Sequence, residues 1–322
     1  MKQKLAIVIP CYNEQAVLPI TAPLFLDQLN LLIDKYDLSE ESFILFCDDG
    51  SKDTTWSIIA SLAHSNSRYQ GLKGSRNRGH QNVVLGGLMF AKDHADFTIS
   101  IDCDGQDDIH AMDEMVDKYM HGCEVVYGVR NDRATDTWFK RTTAQGFYKF
   151  LNSMGANVVY NHADYRLLSS KVLNELSHYP EVNLFLRGLV PLVGFKSDSV
   201  YYSREKRVAG ESHYPLGKMM GLAIDGITSL SVKPLHLISL IGIVISGISF
   251  VGLIWSLITY FVGSTVTGWT SMVAIMCFVS GIQLLCIGVL GEYIGKLYME
   301  SKHRPRYIFE DNTVTHDVFS DY

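Results

Sequence analysis

Three short runs along the first hundred residues are largely apolar and rich in β-branched or aromatic residues: "KLAIVIP" (residues 4–10), "FILFC" (43–47) and "FTISI" (97–101). A strand that shows no polar face is buried on both sides, as in a parallel sheet covered by helices. Each run ends abruptly in polar or turn residues. Between them lie longer stretches with apolar positions at helical spacing, at residues 14–35, 54–64 and 81–94, with Asp53 and Thr54 near a helix start. The order strand–helix–strand–helix–strand predicts an α/β fold built on a parallel sheet. A fourth helix is expected after residue 108, where Ile109, Met112, Val116 and Tyr119 share one face.

The pattern changes after residue 234. Residues 235–262 carry no charge, and neither do residues 269–291. Each run exceeds the roughly 20 apolar residues that cross a bilayer. The competing reading, a hairpin buried in a soluble core, would leave a polar face on each helix, which these lack. Lys218 and Lys233 precede the first run, Lys296, Lys302, Arg304 and Arg306 follow the second, and the loop between is uncharged. That asymmetry predicts both ends on the cytoplasmic side of the cell membrane. Upstream, Leu216, Met219, Met220, Ala223, Ile224 and Ile227 recur at helical spacing and predict an amphipathic helix at the interface, with a core helix of the soluble domain as the alternative. The expected organisation is a soluble domain at 1–214, the interface helix at 215–233, a two-helix hairpin at 234–295 and a basic cytoplasmic tail at 296–322.

Composition narrows the chemistry. The 322 residues are 47% hydrophobic with a net charge of −6, and the first two hundred contain no long basic run, so a nucleic-acid partner is not expected. Six scattered cysteines form no C-x-x-C pair, which argues against a zinc site or a disulfide framework. The apolar start before Pro10 is too short for a signal-peptide core. "GLKGSRNRGH" lacks the spacing of a dinucleotide fingerprint.

In open α/β sheets the ligand lies beyond the carboxyl ends of the strands. Here those ends carry "PCYNE" (10–14), "DDGSKD" (48–53) and "DCDGQDD" (102–108), three polar clusters on one edge. Asp102 and Asp104 point the same way if the strand persists through them, and Cys103 then faces the packing side. Crowded oxygen ligands suit a hard divalent cation shared with phosphates. "DDGS" alone is also an ordinary turn, and Asp107 or Asp108 is placed to cap the following helix.

The series "VIPCYNE", "DDGSKD", "SRNRGH" and "DCDGQDD" resembles family 2 glycosyltransferases of the GT-A fold. With "YRLLSSKVL", "RVAGESHYPLGK", two apolar spans and "GEYIGKLYMESKHRPRY" it is similar to the polyprenyl-phosphate glycosyltransferases, the group of dolichyl-phosphate mannose synthase and bactoprenol glucosyltransferases. The resemblance implies a Rossmann-like nucleotide-binding domain anchored by the hairpin. It implies a nucleotide-sugar donor bound by Pro10, Tyr12, Glu14, Asp48, Asp49, Arg76, Asn77 and Lys218. It also implies Mg²⁺ or Mn²⁺ on Asp104 and Gln106 with Asp102 on ribose or metal. Arg130, Arg141 and Arg207 are its candidates for the phosphate of an undecaprenyl or other polyprenyl phosphate acceptor. Asp108 departs from the family, which often has proline there.

Such an acceptor, with a second pKa of about 6, is its own nucleophile and needs no strong base; His80, His110 and His213 are accordingly read as hydrogen-bonding or surface residues. The expected reaction is a single, inverting, metal-dependent transfer, with glucose or N-acetylglucosamine from a UDP donor favoured. Alternatives are a GDP-mannose-dependent mannose synthase, a metal-dependent nuclease or phosphatase, and a membrane-anchored sensor or scaffold that binds without turnover. Small residues in the spans (Gly242, Ser246, Gly247, Gly281, Gly288) permit the close helix contact that a homo-oligomer would use.

Overall fold

The computed structural model describes residues 2–131, 162–203, 228, 231–262 and 268–314. Strand β1 (Leu5–Cys11) and strand β2 (Phe43–Asp48) are buried at every position. They pair in parallel, and β1 pairs on its other side with β4 (Phe97–Ser100), also in parallel. Strands covered on both faces are apolar on both, which is why β1 and β2 were legible as unbroken apolar runs; in β4 the polar Thr98 and Ser100 are buried as well, their hydroxyls donating to the Leu168 carbonyl (3.2 Å) and the Asp164 carbonyl (2.7 Å). The helices between them, α1 (Leu18–Tyr36), α2 (Thr55–Ser65) and α3 (His80–Lys92), match the helical stretches read from spacing. The first begins later than residue 14, with a proline in its first turn, because residues 12–17 are used in a loop.

The sheet is larger than three strands. Its order is β7 (Ser197–Tyr202), β5 (Val125–Arg130), β6 (His162–Ser169), β4, β1, β2, β3 (Tyr69–Gly74) and β8 (Phe309–Asn312). Strand β3 (Tyr69–Gly74) continues the parallel set beyond β2. Its sequence, YQGLKG, has too few β-branched residues to signal a strand, and Gly71 is there for clearance: a Cβ would sit 2.4 Å from Cγ2 of Ile59. After α4 (Ala111–Met120) come β5 (Val125–Arg130) and β6 (His162–Ser169). The β6 strand inserts antiparallel between β4 and β5, and β7 (Ser197–Tyr202) lies parallel to β5 at the edge. Helices α5 (Ser170–Ser177) and α6 (Leu186–Leu192) complete the domain.

Two apolar layers flank the sheet. One face packs Ile7, Ile9 and Ile99 against α1, α2 and α4; the other packs Ala6, Val8 and Leu45 against α3, α5 and α6. This is a helix–sheet–helix sandwich, a mixed α/β sheet of GT-A type.

Helices α7 (Lys233–Phe261) and α8 (Trp269–Ser301) stand apart from that core. Both contain segments long and apolar enough to cross a membrane, Lys233–Gly252 and Phe278–Ser301, and neither segment is buried inside the protein. Ile243 and Leu284 are each 70% exposed. At about 25 cal/mol per Å² such apolar surface is costly in water, so the hairpin is not a core element of a soluble domain. The interface helix expected at 215–233 falls almost wholly outside the described residues; Lys233 opens α7.

The stretch expected as a basic tail is built into the fold as far as residue 314. Helix α8 runs on to Ser301, and the chain returns as β8 (Phe309–Asn312), antiparallel to β3. Lys73 pairs with Glu310 at 2.7 Å, and the Thr313 N–H donates to the Gly71 carbonyl at 3.0 Å. An uncovered β3 edge would present unpaired backbone groups, and β8 removes them.

Candidate active site

The carboxyl ends of β1 and β2 are laced together. The Asn13 N–H donates to Ser51 Oγ (2.8 Å), and Lys52 N–H donates to Asn13 Oδ1 (2.9 Å). Glu14 N–H donates to Thr55 Oγ1 (2.8 Å), whose hydroxyl donates to Asp53 Oδ1 (2.6 Å). Asn13 takes a positive φ of 56°, which Asn tolerates better than most residues. Through these bonds "PCYNE" and "DDGSKD" become one wall, with Tyr12 41% exposed at its rim and Pro10 held within β1 opposite Cys47.

Asp48 and Asp49 are both buried. Asp48 receives the Ser51 N–H on both oxygens at 3.3 Å, and burial pushes its pKa up. Asp49 receives the Arg78 N–H (2.8 Å) and the Gly79 N–H (2.9 Å), one on each oxygen. Burial raises its pKa too, with those two N–H groups opposing. Asp49 therefore ties the loop after β3 to the end of β2, while Arg76 and Asn77 stand exposed at the mouth.

Gly50 makes that approach feasible. Its φ is +66°, and a Cβ would lie 2.5 Å from the Arg76 carbonyl carbon. Gly50→Ala is expected to cost about 2 kcal/mol or more, from left-handed backbone plus a clash with main chain that has no rotamer to escape into. Thermal unfolding in detergent measures it, and an unchanged melting temperature would refute the packing argument.

The acidic string after β4 separates into distinct roles. The strand stops at Ser100, residues 103–104 form a turn and Gly105 has φ +66°, so the extended conformation does not persist through Asp102 and Asp104. Cys103 packs inward, its Sγ 3.8 Å from Thr21 Oγ1. Asp104 is buried and accepts the Gln106 N–H on Oδ1 at 3.1 Å. Asp107 does not cap α4: it is buried, accepts the Tyr202 hydroxyl at 2.8 Å and pairs with Arg130 at 3.1 Å. Asp108 does the turn-shaping, its Oδ1 taking the His110 N–H at 2.9 Å and its carbonyl the Tyr165 hydroxyl at 3.1 Å. Arg130, expected at the acceptor phosphate, thus has its guanidinium engaged by Asp107, which raises its pKa against the effect of burial.

Beside Asp102 lies a cluster that sequence reasoning missed. Asp164 on β6 pairs with Arg166 on the same strand and with Arg187 of α6 at 3.0 Å. His80, the first residue of α3, has Nε2 3.4 Å from Asp164 and 3.6 Å from Asp102. Burial alone would raise the Asp164 pKa, but Arg187, the His80 hydrogen bond and Arg166 hold it well below the usual carboxylate range. For His80, burial opposes the charged form, and the two carboxylates outweigh it, so its pKa is raised. The Asp102 pKa is raised by burial first, with His80 opposing and Asp164, Asp107 and Asp104 adding to the rise. The string "ADYRLLS" did hold a signal, since a charge at both 164 and 166 in an apolar strand puts two opposite charges on one face. Nothing local marks Arg187. His110 is elsewhere, its Nδ1 3.1 Å from Gln28 Oε1. Arg141, Arg207, Lys218 and His213 lie outside the described residues.

Among the described residues no three acidic, His or Cys groups are gathered tightly enough to hold a metal by themselves. A hard cation held by one or two carboxylates and completed by substrate phosphates does not need three. The oxygen-only set Asp102, Asp104 and Gln106 fits that kind of ion.

The sequence pattern of Glycosyl transferase family 2 matches residues 6–177. The chain is 48% identical over 313 residues to the uncharacterized glycosyltransferase YkoT of Bacillus subtilis (strain 168), covering 96% of this chain and 93% of the relative. It is 39% identical over 312 residues to the bactoprenol glucosyl transferase of Shigella phage SfV, covering 96% and 98%. Among solved structures, mannosyl-3-phosphoglycerate synthase from Rubrobacter xylanophilus is similar over 74% of this chain and 75% of that one, with a TM-score of 0.46 and 15% identity.

Proposed function

The chain belongs to glycosyl transferase family 2, and on that premise we propose that it moves one glucose from UDP-glucose to a polyprenyl phosphate such as undecaprenyl phosphate, with inversion at the anomeric carbon. The observation that carries this reading is the extent of the match to the phage SfV bactoprenol glucosyl transferase, 96% of this chain and 98% of that one, which takes in the sheet domain and both apolar helices together.

The nucleoside half of the donor is assigned to the laced wall. Tyr12 offers an exposed ring for stacking, and Asp48 and Asp49 offer carboxylate lone pairs for base N–H or ribose hydroxyl. Arg76 and Asn77 face the diphosphate from the rim. Asp102, Asp104 and Gln106 would hold Mg²⁺ or Mn²⁺, which when bound offsets the charge that builds on the departing nucleoside diphosphate. Asp164 stays ionised and fixes His80 and Arg187 around the point where the strand ends meet. The acceptor phosphate is largely dianionic near neutral pH and attacks without a strong base. Arg141 and Arg207 remain its proposed partners, with Lys218 on the donor, and Arg130 acts through Asp107. The apolar helices support a site at a bilayer surface, and the flanking Lys and Arg residues support a cell-membrane location with both ends cytoplasmic.

The test is incubation of the purified full chain with undecaprenyl phosphate, Mg²⁺ or Mn²⁺ and labelled UDP-glucose, UDP-N-acetylglucosamine or GDP-mannose. A metal-dependent, solvent-extractable lipid-linked glucose is the expected product. Transfer from GDP-mannose alone would reassign the donor, free sugar would indicate hydrolysis, and binding without turnover would indicate a sensor.

A further inference from the structure

The segment that continues α8 back into the sheet reaches the donor half of the site. The Arg78 and Gly79 N–H groups that fix Asp49 belong to the loop after β3, and a loop that orients a carboxylate must itself be held. Gly50 backs it on one side. On the other side the returning chain grips it: the Pro305 carbonyl accepts from Arg78 Nη1 at 2.9 Å, and the Ile308 carbonyl accepts the Ser75 N–H at 3.0 Å. The strand pairing that starts at Gly74 and Phe309 is directly adjacent.

Both ends of this strap are anchored. At the far end Tyr307 and Phe309 lie over Gly86 in the middle of α3, where a Cβ would come within 2.7 Å of Phe309 Cζ and 2.9 Å of Tyr307 Cγ. A mid-helix glycine costs about 1 kcal/mol relative to alanine, and here it clears a seat for two rings. At the near end the Glu300 carboxylate accepts three donors, the N–H groups of Val182 (2.8 Å) and Asn183 (2.7 Å) and the Asn183 side-chain amide (2.7 Å). Arg306 Nη1 donates to the Tyr179 carbonyl at 2.7 Å. Charge-assisted bonds of this kind hold geometry more firmly than neutral ones.

We propose that residues 300–312 are a positioning element for the donor: Glu300 and Phe309 hold the strap, the strap holds the loop of residues 75–79, and that loop sets Asp49. The inference rests on the assignment of Asp49 to the nucleotide. Its consequence is that the second apolar helix and the nucleotide site form one connected body, so that the end of the hairpin is part of the donor-binding apparatus.

The experiment uses the full chain in detergent and compares Gly86→Leu, which fills the seat of the rings, with Phe309→Ala, Phe309→Leu and Glu300→Gln. Affinity for UDP and for GDP with Mn²⁺ is measured by calorimetry, and KM for each substrate and kcat by transfer. Gly86→Leu and Phe309→Ala are expected to weaken nucleotide binding and raise the donor KM about tenfold, as loss of preorganisation does. The lipid-phosphate KM, and kcat at saturating donor, should change by less than about twofold. Phe309→Leu should recover most of the loss, and Glu300→Gln should fall between. If the variants bind nucleotide like the unmodified chain, the proposal is overturned. A fall in kcat with the donor KM unchanged overturns it too, since that is what lost folded protein alone produces. Should Gly86→Leu not fold, the two Phe309 variants and Glu300→Gln decide the matter by the same readout. If the unmodified chain transfers no sugar, the transfer reading fails while nucleotide affinity still tests the strap.

Discussion

Asp104→Asn is expected to lower the rate of transfer by about 10²- to 10³-fold, the usual consequence of removing one group that stabilises developing charge. The substitution is chosen because it separates charge from shape. Asp104 Oδ1 accepts the Gln106 N–H within a tight turn at Gly105, and the amide oxygen of an asparagine at this position can accept the same bond. The turn should therefore survive, and the melting temperature should move little. The variant loses the negative charge offered to a divalent cation and, through it, to the leaving diphosphate. Titrating Mn²⁺ against activity checks the assignment: a metal role predicts a raised half-saturating concentration in the variant. Full activity with an unshifted Mn²⁺ dependence would remove Asp104 from the metal site.

Asp164→Asn should be the most damaging single change to the folded domain. Arg166 is 1% exposed and Arg187 packs against the same carboxylate, so the variant leaves two guanidinium groups facing a neutral amide. Removing one partner of a buried ion pair costs about 3–5 kcal/mol; Arg166 keeps its bond to the Leu186 carbonyl (3.3 Å) and Arg187 is 37% exposed, which puts the cost at the lower end. The pH dependence is set by the directions of the shifts. The Asp164 pKa is depressed from its ordinary value, so its stabilisation is complete above that value and lost as pH falls through the folded pKa. His80 has a raised pKa, so its contribution is complete below the ordinary imidazole value and lost as pH rises through the folded pKa. The variant should therefore show a flatter acid limb in denaturation and a His80 that titrates lower by NMR. An unchanged His80 titration would show that Asp164 is not its main partner.

How much of this was legible depended on whether the signal was local. The three buried parallel strands were, because burial on both faces leaves each short run apolar, apart from the hydrogen-bonded Thr98 and Ser100 of β4. The two long helices were, because each carries an apolar run of more than 20 residues without a charge. Strand β3, reading YQGLKG with two glycines, and strand β8, four residues reading FEDN, were not. Neither is apolar enough to announce itself, and each is stabilised by the other's edge. The acidic string was legible as a site and not as a set of roles.

The path of the chain elsewhere divides those roles. Asp107 is ion-paired by Arg130 and hydrogen-bonded by the Tyr202 hydroxyl, which arrive on β5 and β7. Asp102 meets His80 and Asp164 because β6 enters antiparallel beside β4 and brings its own carboxylate to the same end. The residue order alone expresses the period of the buried central strands and of the helices, the ends where polar residues gather and the apolar spans, since these follow from side-chain burial along one stretch of chain. Only the tertiary structure decided which charges meet, because Coulomb energy and hydrogen bonding depend on separation in space, and residues 80, 102, 164 and 187 have no separation that the chain order expresses.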